Sequence, residues 1–206
     1  MRAGSQISRV KKLLLATNNE GKLREYRALL EGLPCQLTTL AEEGIEAAVE
    51  EPGSSLEENA RFKATTYARL SRLLSLADDS GLEVDALGGE PGGLSARYAG
   101  EGASDADRVN YLLSRLDGVA QERRTARFQC VIAIASPEGE VEVCRGQCEG
   151  TVATEPRGEN GFGYDPIFYL PGLGKTMAEL TLEEKNRISH RARAARAARK
   201  ALAAMV

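Results

Sequence analysis

The side chains in this sequence with the most to offer chemically are two adjacent acidic pairs, Glu50-Glu51 and Asp78-Asp79. Hard divalent cations are held by oxygen ligands of this type. The aspartates follow the apolar pair Leu76-Ala77, and ionised groups at the end of an apolar strand are costly unless paired or bound to a metal. Consecutive strand residues point to opposite faces, so only one of Asp78 and Asp79 is expected to face a given cleft. Two readings follow: a structural pair with arginine, or a site in which one aspartate and one glutamate hold a divalent cation. The run Thr17-Asn18-Asn19-Glu20-Gly21-Lys22 offers complementary chemistry. Placed where a strand hands over to a helix, it combines backbone N–H groups, small polar side chains and a lysine, which suit a phosphate as well as an ordinary helix cap. The pattern G-x-x-x-x-G-K-[ST] is absent, which removes the main support for a P-loop kinase or ATPase.

Three further groups carry chemistry. Asn59 and Lys63 lie four apart and so share a helix face, although Lys63 by itself reads as a solvated charge. Gly161-Phe162-Gly163-Tyr164-Asp165-Pro166 holds two aromatics in a glycine-flanked turn; beside a cleft they would give a base a stacking surface. Lys185, Ser189, His190 and Arg191 gather around a helix start, and Arg193, Arg196 and Arg199 follow at three-residue steps, a spacing that reads as a solvated basic stripe.

The elements that must position these residues are legible from periodicity. Val10 to Thr17 reads as a buried strand, followed by a helix with Leu23, Tyr26, Leu29 and Leu30 at helical spacing and Gly32 and Pro34 as its stop. A second strand is expected near Cys35 to Leu40, then an acidic loop from Glu42 to Gly53. Ser55 and Glu58 form a capping box for a helix over Leu56 to Leu74. Leu76 to Asp78 reads as a short strand entering a turn at Ser80-Gly81, with Leu82, Val84 and Ala86 alternating in the next strand. Gly88 to Gly102 reads as loop. Ser104 caps a helix bearing Val109, Leu112, Leu113 and Leu116, and Thr125 to Ser136 pairs with Glu140 to Ala153 as an antiparallel hairpin around Pro137-Glu138-Gly139. Thr181 and Glu184 cap a helix to Ile188, and Ser189 a last, alanine-rich one. Helices alternate with strands early and long paired strands come late, so the expected fold class is α/β, a mixed central sheet with flanking helices.

The 206 residues are enough for one or two closely packed lobes. Net charge is −3, with 27 basic against 30 acidic residues, which excludes a general electrostatic drive toward nucleic acid or anionic membrane. No signal peptide and no apolar run of about 18 residues is evident, so the chain reads as soluble and cytoplasmic. Cys35, Cys130, Cys144 and Cys148 fit neither a disulfide scaffold nor a zinc site and are expected as buried free thiols. With His190 the sole histidine, a metal would be a hard cation on carboxylates rather than one held by imidazoles.

Six of these segments, in this order, resemble the inosine triphosphate pyrophosphatase family, the Ham1-like pyrophosphatases of non-standard purine nucleoside triphosphates. They are Ala16-Thr17-Asn18-Asn19-Glu20-Gly21-Lys22, Glu58-Asn59-Ala60, Ala77-Asp78-Asp79-Ser80-Gly81-Leu82, Gly93-Leu94-Ser95-Ala96-Arg97-Tyr98, Phe162-Gly163-Tyr164-Asp165-Pro166-Ile167-Phe168 and Ser189-His190-Arg191. The resemblance runs from about Lys12 to Leu202. It implies a single domain over residues 1–206, of which 1–9 are an extension, with two lobes around a substrate cleft and a homodimer as working unit. The implied activity is hydrolysis of ITP, dITP and XTP to the monophosphate and pyrophosphate, keeping deaminated purines out of DNA and RNA.

Residue by residue, the resemblance assigns substrate binding to Thr17, Asn18, Asn19, Glu20, Gly21, Lys22 and Lys63 at the phosphates. Ser80 falls beside the substrate, Phe162, Gly163, Tyr164 and Asp165 line the base and sugar, and Lys185, His190 and Arg191 complete the base pocket. It assigns Mg²⁺, with Mn²⁺ as substitute, to Glu51 and Asp79, and makes Asp79 the general base. Asn18 departs from the glycine of many relatives, and Glu51 is preferred to Glu50 on its spacing of twelve before Lys63. Two rival functions are a Maf-type pyrophosphatase acting on modified or pyrimidine triphosphates and a silent RNA-binding module using the Arg193, Arg196, Arg199 stripe.

Overall fold

The computed structural model describes residues 11–47, 49 and 55–205. Glu50, Glu51 and the extension 1–9 lie outside them. In chain order the elements are β1 (Lys12–Leu15), α1 (Glu20–Leu29), β2 (Gln36–Thr39), α2 (Leu56–Ser71), β3 (Leu74–Val84), β4 (Pro91–Gly92), α3 (Asp105–Arg115), β5 (Thr125–Ala135), β6 (Val141–Val152), β7 (Phe168–Leu170), β8 (Lys175–Thr176), α4 (Leu182–Ile188) and α5 (His190–Met205). They form one mixed sheet in the order β2-β1-β3-β5-β6-β7-β8, with β4 added to β3. The pairs β1/β2 and β1/β3 are parallel, and the other pairs are antiparallel. Among the described residues no helix is long and apolar enough to cross a membrane.

The long strands organise the molecule. The eleven residues of β3 span about 36 Å at strand rise, so one strand serves two packing environments. Its first half is covered on one face by α1 and α5, where Leu13, Leu15, Tyr26, Leu76, Ile132, Ile134 and Ala195 pack together. On the other face α2 buries Ala60, Ala64 and Tyr67 against Leu14, Ala77 and Ala133. Its second half belongs to a separate cluster in which Leu82 and Val84 meet Leu112 of α3, Leu116 at its C-cap, Phe168 and Met177. The cleft lies where these environments meet.

Expectation and structure differ at several points. Ser80-Gly81 is not a turn: β3 runs through it, paired residue for residue with β5 from Ser75 to Val84. A Cβ on Gly81 would fall on the carbonyl oxygen of Gly92, so glycine serves here to let β4 pair closely with β3, not to reverse the chain. The strand then ends at Val84, and Asp85–Leu87 is a 3-10 turn. The loop from Gly88 to Gly102 contributes β4 and the buried Ser95, whose hydroxyl donates to Gly92 O (2.6 Å) and accepts from Leu82 N (2.9 Å). Arg193, Arg196 and Arg199 do more than face solvent. Their guanidinium groups donate to backbone carbonyls, of Gln147, of Arg187, and of Leu29 and Glu31 respectively, clamping α5 to β6, α4 and the end of α1. Arg193 and Arg196 nevertheless stay exposed, as a solvated stripe would. All four cysteines are free, with Cys130 and Cys148 buried and Cys35 and Cys144 half-buried.

Candidate active site

The site follows from a notch in the sheet. β1 pairs with β3 only from Leu74 to Leu76, and β4 joins the same edge only at Leu82 and Glu83. Between them no strand among the described residues covers that edge at Asp78 to Gly81, and a cleft of about 370 Å³ opens there. Pockets of this size accommodate small-molecule ligands.

Consecutive aspartates on a strand must part company, and they do. Asp78 turns toward α1 and α5, where its carboxylate is wholly buried and meets Lys22 Nζ at 3.0 Å, Ser80 Oγ at 2.9 Å and Arg191 Nη2 at 3.5 Å. Burial opposes its charge, but Lys22, Arg191 and Lys63 outweigh it and hold the carboxyl well below the usual range. Asp78 therefore realises the ion-pair reading. Asp79 turns to the α2 face and lines the cleft. Its Oδ2 accepts from Asn59 Nδ2 at 3.0 Å, its Oδ1 from Ser80 N at 3.1 Å, and Lys63 Nζ is 3.6 Å away. Lys63 is not a solvated charge: it is 9% exposed and donates to the carbonyl of Asp78 at 2.7 Å, satisfying a backbone acceptor that the missing strand leaves open.

At one end of the cleft stands the start of α1. Asn19 is its N-cap, accepting from Lys22 N at 2.9 Å, while Thr17 Oγ1 accepts from Asn19 N at 3.2 Å. Capping and a cationic, N–H-rich terminus thus coincide in one loop. Thr17, Asn18, Asn19 and Lys22 line the cleft, whereas Glu20 turns to a separate groove beside Arg24 and Arg27. Gly21 is covered by the ring of Phe162.

The same cleft is lined by Ser80, Phe162, Gly163, Tyr164, Asp165, Lys185, His190 and Arg191. They are joined by a buried charge network that includes Glu25, a residue of α1. Glu25 accepts from Lys185 Nζ and Arg191 Nη1, both at 2.7 Å, and Lys185 also donates to Asp165. Burial raises the affinity of Glu25 for a proton, but Arg191 and Lys185 reverse this and keep its carboxyl below the usual value. For Asp165 burial prevails and its carboxyl is raised, although Lys185 and Phe162 N (2.9 Å) both favour the ion. Arg191 is 1% exposed, and its Nε–H has no hydrogen-bond partner among the described residues. His190 stacks on Phe128, with ring centroids 4.6 Å apart.

Sequence reasoning missed Glu25, Asp105 and Arg108. Glu25 stands three residues after Lys22, a helix-face spacing that could have drawn attention to it. Asp105 and Arg108 begin α3, line the cleft, and brace the aromatic loop through Gly163 N to Asp105 Oδ2 at 2.7 Å. Nothing in their local sequence announces this.

Among the described residues no group of three or more acidic, His or Cys side chains is arranged so that it could hold a metal ion. Asp79 nevertheless suits a magnesium-like ion, which binds through one or two carboxylates together with water and substrate phosphates. Glu51, its expected partner, lies outside the described residues.

Known proteins are similar to this chain over most of its length. Residues 13–201 match the Ham1 family. The dITP/XTP pyrophosphatase of Geobacillus kaustophilus is 51% identical over 185 residues, covering 90% of this chain and 91% of that protein. That of Bacillus subtilis is 49% identical over 183 residues, covering 89% and 92%. The structure of the Staphylococcus aureus Ham1 protein superposes with a TM-score of 0.84 at 42% identity, covering 95% of this chain and all of that one. With sequence and fold in agreement over about nine-tenths of the chain, the protein belongs to the Ham1 family.

Proposed function

We propose that this protein hydrolyses non-standard purine nucleoside triphosphates such as ITP, dITP and XTP to the monophosphate and pyrophosphate. The observation that carries the reading is one cleft that brings Asp79 and Lys63 together with the cationic start of α1 at Lys22 and with the Phe162 ring and Arg191. The relatives named dITP/XTP pyrophosphatase support it.

In this scheme Thr17, Asn19 and Lys22 meet the phosphates at the helix terminus, and Lys63 offsets their charge beside Asp79. A triphosphate anchored there and a base beside Phe162 leave the α-phosphorus near Asp79, for in-line attack by water. Asp79 would hold Mg²⁺, or Mn²⁺ in its place, with Glu51 as the further ligand to test; such an ion would neutralise phosphate charge and ease deprotonation of the water. A carboxylate shared with a cation is a weak base, so Asp79 acts chiefly by holding and orienting. Donors of the cleft lining such as Arg191 and the backbone N–H groups would read a 6-oxo base, and the 6-amino group of adenine would leave them unpaired. Guanine, which shares the 6-oxo group, must be refused at its 2-amino group. A homodimer as working unit, implied by the family resemblance, belongs to the same proposal; light scattering on the active species decides it.

The test is incubation with ITP, XTP, dITP, GTP and ATP plus Mg²⁺, with pyrophosphate and orthophosphate measured separately. Pyrophosphate from the first three is expected. Orthophosphate as the direct product moves the attack to the γ-phosphate and overturns the scheme, and equal kcat/KM for GTP and ITP overturns the base assignment.

A further inference from the structure

Gly21 is a glycine with no conformational reason to be one. It lies inside α1, one residue from its start, and is not among the glycines with positive φ. Alanine is the better helix former at such a position. What excludes it is space. A Cβ on Gly21 would lie 2.7 Å from Cε1 and 2.9 Å from Cγ of Phe162, and closer still to Cδ1. The ring is not at liberty to swing aside without loss. It sits under two buried cations, with Lys185 Nζ 4.8 Å and Arg191 Cζ 5.4 Å from its centroid, a range at which cations are attracted to an aromatic face. Its backbone is held by Phe162 N to Asp165 at 2.9 Å.

We infer that Gly21 is a positioning residue whose bare Cα seats the Phe162 ring against the first turn of α1. The phosphate end and the base end of the cleft are thereby set at a fixed separation by one aromatic-to-backbone contact. An added methyl group leaves α1 intact and unseats the ring. This rests on the nucleotide reading above, in which the base lies beside Phe162.

The experiment compares wild type, Gly21→Ala, Phe162→Ala and the double variant for kcat and KM with ITP and for thermal midpoint. Gly21→Ala should raise KM about tenfold, within what one stacked base contributes, with kcat changed less and the midpoint held or raised. In the Phe162→Ala background the same substitution should have no further effect on KM. Equal KM penalties in both backgrounds, or a lowered midpoint with KM unchanged, would overturn the inference. The chain contains no tryptophan, so Phe162→Trp supplies a single emitter that needs no substrate. Its emission should shift to longer wavelength when Gly21→Ala is added, and an unchanged spectrum would also overturn the inference. If wild type turns over no purine triphosphate, the functional reading fails while this spectrum still decides the seat.

Discussion

Mild acid should destabilise this protein through one residue. His190 is 3% exposed and stacked on Phe128, and its Nδ1 has no hydrogen-bond partner among the described residues. Burial first, then Arg191 and Lys185, with a smaller effect from Lys22, hold its imidazole well below the ordinary 6.5, against the opposing pull of Asp78. The folded state therefore keeps His190 neutral while the unfolded chain takes up a proton below pH 6.5. More protons bound in the unfolded state means that stability falls as pH falls, by about 1.4 kcal/mol per unit for as long as the folded imidazole stays neutral. Relative to the plateau above neutrality, about 1.4 kcal/mol should be lost by pH 5.5. The window is clean because His190 is the only histidine, and the depressed carboxyls of Glu25 and Asp78 lose their contributions only on the acid side of the ordinary values 4.5 and 3.8. The raised carboxyl of Asp165 acts with opposite sign but is common to both proteins compared. Urea unfolding followed by circular dichroism between pH 5.0 and 7.5, on wild type and His190→Gln, measures the effect. The variant starts lower because it loses the stacked ring, but between neutrality and pH 5.5 it should lose about 1.4 kcal/mol less than wild type. Parallel slopes would refute the reasoning.

Asp78 and Asp79 should fail differently. Asp79→Asn is expected to cut turnover by about 10²-fold or more through lost positioning with the thermal midpoint nearly held, whereas Asp78→Asn, by leaving Lys22 and Arg191 without their buried carboxylate, should cost about 3–5 kcal/mol of stability; steady-state kinetics and denaturant titration of both variants separate the two. Glu25→Ala should cost about 3 kcal/mol by the same logic, since Lys185 and Arg191 stay buried beside the gap, and urea midpoints read it. Gly146→Ala would drive a methyl group into the α5 backbone at His190 O and Ala194 N; a loss of about 3 kcal/mol is expected, and an unchanged midpoint would show that α5 can shift without cost.

Local signals carried the reading of the fold furthest. Ser55 with Glu58, Ser104 before Asp105, and Thr181 with Glu184 sit at the helix starts their spacing predicts, because a cap is decided within four residues. Ser80-Gly81 misled because the glycine answers to Gly92, eleven residues on, rather than to its neighbours. Lys63 misled for a similar reason: its acceptor is a carbonyl left open by the shortness of β1, a fact of sheet topology. In the site, residue type alone identified Asp78 and Asp79 as a pair serving two faces. Which faces the cleft was settled by their pairing with Ile132 and Val131 of β5, and Glu25 declared itself only once α4 and α5 had brought Lys185 and Arg191 to it.

The unbroken strands have a mechanical consequence. β3, β5 and β6 pass from one packing environment to the other without interruption, joined by paired residues along their whole length. Enzymes that close over a ligand commonly rotate two bodies about a short linker, with a few residues absorbing the change in backbone angles. Here no such linker crosses under the cleft, and folding the molecule about it would shear two ladders at once. The floor beneath the cleft is therefore stiff against bending, and the distances between residues carried on β3 and β5 are fixed by the ladder.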